Sequence, residues 1–234
     1  MSILHIASYK FLSLKGLPEL RENLYNMCSN FHLKGTILLS SEGININLSG
    51  AQDEIAAWIS FLKSDSRFSD MKFKESCSDS IPFKRLKVKI KKEIITLREP
   101  TIRPERERAP AISSFTLKTW LDEKRDITLL DTRNDYEVAF GTFEGALDLG
   151  IADFCALPDA TEHLPKNKPV VMFCTGGVRC EKAGLHLLEK GFKEVYQLDG
   201  GILQYFSEVG GAHYQGSCFV FDERVALLPN LQPI

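Results

Sequence analysis

What this chain lacks narrows its chemistry. No apolar run is long enough to cross a bilayer, and the opening MSILHIASYKF has none of the basic, apolar and small-residue zones of a secretory signal, so a cytoplasmic protein with no membrane partner is expected. The 6 cysteines (Cys28, Cys77, Cys155, Cys174, Cys180, Cys218) include no Cys-x2-Cys pair and no nearby histidine, which argues against zinc, and a reducing compartment argues against a disulfide framework. His5, His32, His163, His186 and His213 show no partner pattern that would mark a general base. With no dinucleotide glycine fingerprint, no cofactor is evident. Neither half contains an internal repeat or a low-complexity tract.

What is present is enough to bury a substantial core in one or two domains: 234 residues, 44% of them hydrophobic. Charge is unevenly divided. Residues 1–108 carry 18 Lys and Arg against 13 Asp and Glu, and residues 109–234 carry 11 against 18, a split that fits a polyanion partner for the first half or simply a solvated surface.

Leu4, Ile6 and Tyr9 to Leu14 predict a strand, and Leu17 to Leu33 a helix entered through Pro18, with Leu20, Leu24, Met27, Cys28 and Phe31 on one stripe. Thr36 to Ser40 and Ile44 to Leu48 flank Ser41-Glu42-Gly43 as a hairpin. A second helix spans Ala51 to Phe68, and strand follows at Phe73 and from Phe83 to Leu97. This β-α-β-β-α-β order predicts a ferredoxin-like split βαβ sandwich over residues 1–97. In its last strand Leu86, Val88 and Ile90 alternate with Lys87, Lys89 and Lys91, bracketed by Lys84, Arg85 and Lys92. Such a strand is either an edge whose cationic face meets water or a phosphate-contacting ridge.

Residues 98–112, with three prolines and alternating charge, read as an exposed linker. From Ser113 to residue 212 strands and helices alternate: a helix through Trp120 capped by Ser114 or Thr116, a strand from Ile127 to Leu130 ending in Asp131-Thr132-Arg133, a strand from Val170 to Phe173 with a helix from Arg179 to Lys190, and a strand from Val195 to Leu198 with Ile202 to Phe206 helical. That alternation predicts a parallel α/β sheet with ligands at its carboxyl ends. Residues 213–234 form a C-terminal tail.

Cys174 stands at one such end, in FCTGGVRCEKAG. Thr175, Gly176, Gly177 and Val178 turn tightly into the helix that Arg179 and Cys180 begin, so the loop amides from Thr175 to Cys180 converge on an anion. Those amides, the helix dipole and Arg179 would stabilise a thiolate, which makes Cys174 a candidate nucleophile. The bland alternative is a small buried side chain at a strand end. Cys180 is either a resolving thiol or a helix-start residue packed inward. Arg133 and Glu137 are spaced for a local ion pair.

LLDTRNDYEVAFGTFEGA (129–146), FCTGGVRCEKAG (173–184) and LDGGI (198–202) together resemble a rhodanese domain, an α/β fold whose cysteine carries sulfur as a persulfide. The six-residue loop from Cys174 to Arg179 is similar to the sulfur-handling branch and not to phosphatases, whose loop is one residue longer. Adding SEGIN (41–45), FKRLKVKIKKEIITL (83–97) and FVFDERVAL (219–227), nearly the whole chain resembles the TrhO family of rhodanese-related tRNA uridine hydroxylases. The resemblance implies oxygen-dependent conversion of the wobble uridine of tRNA to 5-hydroxyuridine, with molecular oxygen as co-substrate, the anticodon loop of tRNA as partner and Cys174 as the active cysteine. It also implies that Asp131 and Arg133 are supporting residues. Ile46-Asn47 replaces the family's usual Gly-Thr, and the cysteine-rich tail of many relatives does not follow, so a metal site of that kind is not expected. The alternatives are a thiosulfate sulfurtransferase and a catalytically silent sulfur-carrier or binding module.

Overall fold

The structure, a computed structural model, describes residues 3–234 and divides into two units, Met1–Ile94 and Ile95–Ile234. In the first unit β1 (Ile3–Phe11), α1 (Leu17–Asn30), β2 (Lys34–Ser40), β3 (Gly43–Ala51), α2 (Gln52–Ser64) and β4 (Lys74–Ser78) form the antiparallel sheet β4-β1-β3-β2 of a ferredoxin-like fold. Alternation sets its buried face. Ile44, Ile46 and Leu48 of β3 point into a core that Leu20, Leu24 and Cys28 of α1 and Ile55, Trp58 and Leu62 of α2 complete at helical spacing. Burial pushes the Cys28 thiol up to about 12, against a weaker opposing effect from Trp58, as expected of a packing residue.

The lysine-rich strand is not the fourth strand of this order. That place beside β1 belongs to Lys74–Ser78, whose side chains are at most half-buried and so give little apolar signal. Leu86–Ile90, β5, joins the opposite edge, parallel to β2 with Gly35 opposite Leu86 and Leu39 opposite Ile90. Its apolar face is correspondingly partial: Val88 is buried, Leu86 half-buried, and Ile90 is 42% exposed.

The second unit holds β6 (Ala111–Ile112), α3 (Ser114–Asp122), β7 (Thr128–Asp131), α4 (Asp135–Val138), β8 (Gly141–Phe143), β9 (Leu147–Asp148), α5 (Leu157–Ala160), β10 (Val170–Phe173), α6 (Val178–Glu189), β11 (Val195–Leu198), α7 (Gly201–Val209), β12 (Tyr214–Gly216), β13 (Cys218–Phe219) and β14 (Ala226–Leu227). A parallel sheet, β6-β11-β10-β7-β9, places β10 at its centre. Val170 and Met172 face a core shared with Cys180, Ala183 and Leu187 of α6, while Val171 and Phe173 face one shared with Ile202, Tyr205 and Phe206 of α7. A strand covered on both faces reads as the continuous apolar run seen here.

Two expectations change. The segment expected as an exposed linker belongs to the second unit: Leu97, Ile102 and Ala109 are buried, and Ala111–Ile112 pairs with β11. Its apolar residues are irregularly spaced, so no period betrays them, and its charges are partly engaged, since Arg108 donates to Glu181 and Asp199 at 3.0 Å. The tail is also folded in, because β12 pairs with β8 and β13 with β14, burying Cys218, Val220, Ala226 and Leu227. The cap of α3 is Ser113, whose hydroxyl accepts from Thr116 N–H at 3.0 Å; Ser114 and Thr116 lie inside the helix.

Candidate active site

The chain leaves β10 at Phe173 and enters α6 through Gly177, which caps the helix in a left-handed conformation (φ 97°). The Gly177 N–H donates to Cys174 Sγ at 3.1 Å, and the Arg179 amide also bonds the sulfur. Cys180 N–H is used otherwise, donating to Gly177 O at 3.1 Å in the first helical turn, so the amide ring is narrower than the sequence suggests.

The start of α7 explains why the loop amides point inward. Ile202 N–H donates to Cys174 O at 2.9 Å and Leu203 N–H to Thr175 O at 3.1 Å, drawing both loop carbonyls away from the sulfur. This close approach needs glycine: a Cβ on Gly201 (φ 68°) would lie 2.4 Å from Cys174 O and 2.8 Å from Gly177 N. The LDGGI stretch is thus the brace of the cysteine loop.

Arg179 is buried beside Cys174. Its Nη1 and Nη2 donate to the two carboxylate oxygens of Glu137 at 2.5 and 2.7 Å, and its guanidinium also bonds the Cys174 sulfur. Glu137 further accepts from Asn134 N–H at 3.1 Å. The local pair expected between Arg133 and Glu137 does not form. Arg133 instead donates from Nε and Nη2 to Asp131 at 2.9 and 2.6 Å and from Nη2 to Gly141 O at 2.6 Å, while Thr142 Oγ1 donates to Asp131 at 2.7 Å. Both ion pairs are buried. Asp131 and Arg133 therefore clamp β7 to the following segment, and α4 delivers its third residue, Glu137, to Arg179. Burial works against each guanidinium, yet its carboxylate partner holds it above the ordinary arginine range.

The electrostatics favour one thiolate. Burial pushes the Cys174 thiol up, but the Cys180 thiol, the Arg179 charge and the amides of Arg179 and Gly177 together bring it down to about 5. Cys180 moves oppositely: burial, its hydrogen bond to Cys174 and the charge there hold its proton on well above the ordinary thiol range. Cys180 does pack inward, and inward here means toward the Cys174 sulfur, with Thr132 Oγ1 at 3.7 Å from its own sulfur. A thiol donor, a guanidinium and two amides around one sulfur favour its anion, the form in which a thiol is nucleophilic. Thr175, Gly176 and Val178, each half-buried, form the outer surface of the loop above it.

Sequence reasoning did not anticipate Thr132 or Cys218 here, and it paired Glu137 with Arg133 instead of Arg179. Cys218 lies against Thr175, whose hydroxyl donates to Phe219 O at 3.4 Å, and burial pushes the Cys218 thiol up to about 12. The only signal for these was the set of stretches DTRNDYE and FVFDERVAL, unreadable as contacts in one dimension. In the first unit Lys84, Arg85, Lys89, Lys91 and Lys92 are exposed and Lys87 half-buried along and beside the edge strand β5. Among the described residues no helix is long and apolar enough to cross a membrane.

Comparison with known proteins agrees with both units. Residues 3–94 match the UPF0176 acylphosphatase-like domain and residues 116–208 the rhodanese-like domain. The chain is similar to a tRNA uridine(34) hydroxylase of Cupriavidus pinatubonensis, 51% identical over 100% of this chain and 86% of that protein. It is also similar to one of Thiobacillus denitrificans, 50% identical over 100% of this chain and 98% of that protein. Among solved structures, a rhodanese-like domain from Anabaena is 25% identical over 46% of this chain and 79% of that one, with a TM-score of 0.40. Identity of this degree running from end to end places the chain in the family of the tRNA uridine(34) hydroxylases, enzymes built on a rhodanese-like scaffold.

Proposed function

We propose that this protein hydroxylates C5 of the wobble uridine of tRNA, giving 5-hydroxyuridine, in the cytoplasm. The observation that carries this reading is the full-length match to relatives named for uridine 34. Cys174 is the reacting group and Arg179 its electrostatic partner, supported by the lowered thiol pKa and by the cage of Gly177, Arg179 and Cys180 around the sulfur. Asp131 and Arg133 support the site by holding β7 and α4 in place.

Net balance defines what the site must accommodate. One atom of molecular oxygen is inserted into the C5–H bond, the other leaves as water, and two thiols of a reducing dithiol supply the two electrons and two protons, ending as a disulfide. Cys174 and Cys180 are neighbouring thiols suited to passing that electron pair. A recessed sulfur requires an unstacked base, which a single-stranded anticodon loop offers cheaply. The backbone phosphates of the tRNA meet Lys84, Arg85, Lys87, Lys89, Lys91 and Lys92 of the basic edge.

Nucleoside mass spectrometry of tRNA from a deletion strain tests this. Wild type should restore 5-hydroxyuridine and Cys174→Ser should not; restoration by the serine variant would remove Cys174 from the chemistry. The rhodanese-like scaffold also favours sulfur transfer through a Cys174 persulfide, which predicts thiosulfate-dependent sulfur release that is indifferent to Lys87, Lys89 and Lys91.

A further inference from the structure

The surface beside the cysteine loop carries aromatic rings that the fold leaves uncovered. Phe219 meets Tyr136 edge-on (centroids 5.5 Å apart, planes at 84°) and Phe221 edge-on (5.2 Å, 89°), with Phe140 tilted against it at 5.4 Å. Phe221 is 63% exposed and Tyr136 44%. Contiguous exposed rings of this kind mark contact surfaces. The cluster is tied to the loop that holds Cys174 at its central ring, Phe219, and beside Tyr136. Thr175 Oγ1 donates to the Phe219 carbonyl at 3.4 Å, and Glu137, the residue after Tyr136, holds the Arg179 guanidinium. The charged residues that adjoin Tyr136 and Phe221 in sequence, Asp135, Glu137 and Asp222, are acidic, and the exposed rings themselves offer a flat π-system a partner.

We propose that Tyr136, Phe219 and Phe221 form a stacking platform for a nucleobase adjacent to the target uridine. The inference rests on the proposed function and extends it to how the anticodon loop is held. Drawing one base down to a buried sulfur breaks its stacking with its neighbours, and ring faces at the rim of the loop replace what the neighbour loses. Stacking on phenyl rings is tolerant of base identity, so the platform orients the loop without selecting the flanking base.

The test uses an anticodon stem-loop RNA with 2-aminopurine immediately 3′ of the uridine, titrated with the full-length protein. Wild type quenches the probe on binding. Phe221→Leu keeps apolar bulk without a π face, so it loses the quench and weakens the Kd by roughly five- to hundredfold. Phe221→Trp restores both. Unchanged alkylation of Cys174 in each variant shows that the loop is intact. An absent quench with wild type, or equal quench and Kd for Phe221→Leu, overturns the platform. So does a wild-type dimer that dissociates on Phe221→Leu while RNA affinity stays the same, which would assign the patch to a second copy of the chain. If wild type quenches the probe but restores no 5-hydroxyuridine in cells, the hydroxylase reading fails and the platform stands.

Discussion

Replacing Glu137 by Gln is the sharpest perturbation of the site, because it leaves the shape and removes one charge of a buried pair. Glu137 and Arg179 are both buried and joined by two hydrogen bonds of 2.5 and 2.7 Å. Breaking one side of such a pair costs roughly 3–5 kcal/mol, because the surviving charge stays out of water. Arg179 retains the Cys174 thiolate as a partner, so the cost belongs at the lower end, about 3 kcal/mol. Urea unfolding of the second unit, followed by Trp120 fluorescence in a Trp58→Phe background, should therefore show a midpoint lower by about 1–3 M for an m-value of about 1–3 kcal/mol/M. With Glu137 gone, the guanidinium turns wholly to the sulfur and the Cys174 pKa falls further. The double variant Glu137→Leu with Arg179→Met removes both charges and should recover most of the stability, while the Cys174 pKa rises toward the ordinary thiol value of about 8.5. A midpoint shift below roughly 0.5 M for Glu137→Gln, or a double variant whose cysteine titrates as in wild type, would refute the reasoning.

Four further outcomes are expected. The rate of iodoacetamide alkylation of Cys174 should rise with pH to a midpoint of about 5, and Cys180→Ala, which removes a donor to the thiolate, should move that midpoint upward; an unmoved midpoint would deny Cys180 its part. Because folding lowers this pKa, the thiolate's contribution to stability is complete above the unfolded thiol value and is lost as pH falls through about 5, so Cys174→Ser should flatten the rise of the unfolding midpoint across that window. Gly201→Ala places a Cβ 2.4 Å from the Cys174 carbonyl, so it should slow Cys174 alkylation and abolish 5-hydroxyuridine formation in complemented cells; wild-type values for both would show that α7 is no brace. Changing Lys89, Lys91 and Lys92 to Ala should weaken tRNA binding and reduce its salt slope by about 0.7–0.9 per lost phosphate contact, with Cys174 alkylation unchanged, and an unaltered slope would free this edge of its role.

Much of the architecture was legible in one dimension because it is written in periodicity. Leu20, Leu24 and Cys28 recur every four residues and line one face of α1, and the hairpin at Ser41-Glu42 forms with Ser40 opposite Gly43 as its glycine suggested. Cys174 at the end of a four-residue apolar strand, followed by paired glycines, needed only local geometry to stand out. Irregular segments were opaque. The stretch from Arg98 to Pro110 has no period, yet Ile102 and Ala109 are buried, because a core accepts apolar side chains from non-repeating backbone. The strand expected at Phe73 does not stand out as the fourth strand, since an edge strand with half-buried side chains such as β4 lacks the alternation that the lysine-rich β5 displays.

The order of elements, the place of Cys174 at a strand end and the glycines that let its loop turn are properties of local sequence, decided by backbone conformation and by hydrophobic period. Pairing of charges is not local. Arg179 finds Glu137 across 42 residues while Arg133 takes Asp131, and nothing in the spacing of the four side chains chooses between these partners. Only the packing of α4, β7 and α6 around the end of β10 brings the carboxylate, the guanidinium and the two cysteines within reach of one another. At that separation in a poorly solvated site their mutual interactions outweigh burial and bring the Cys174 thiol pKa down.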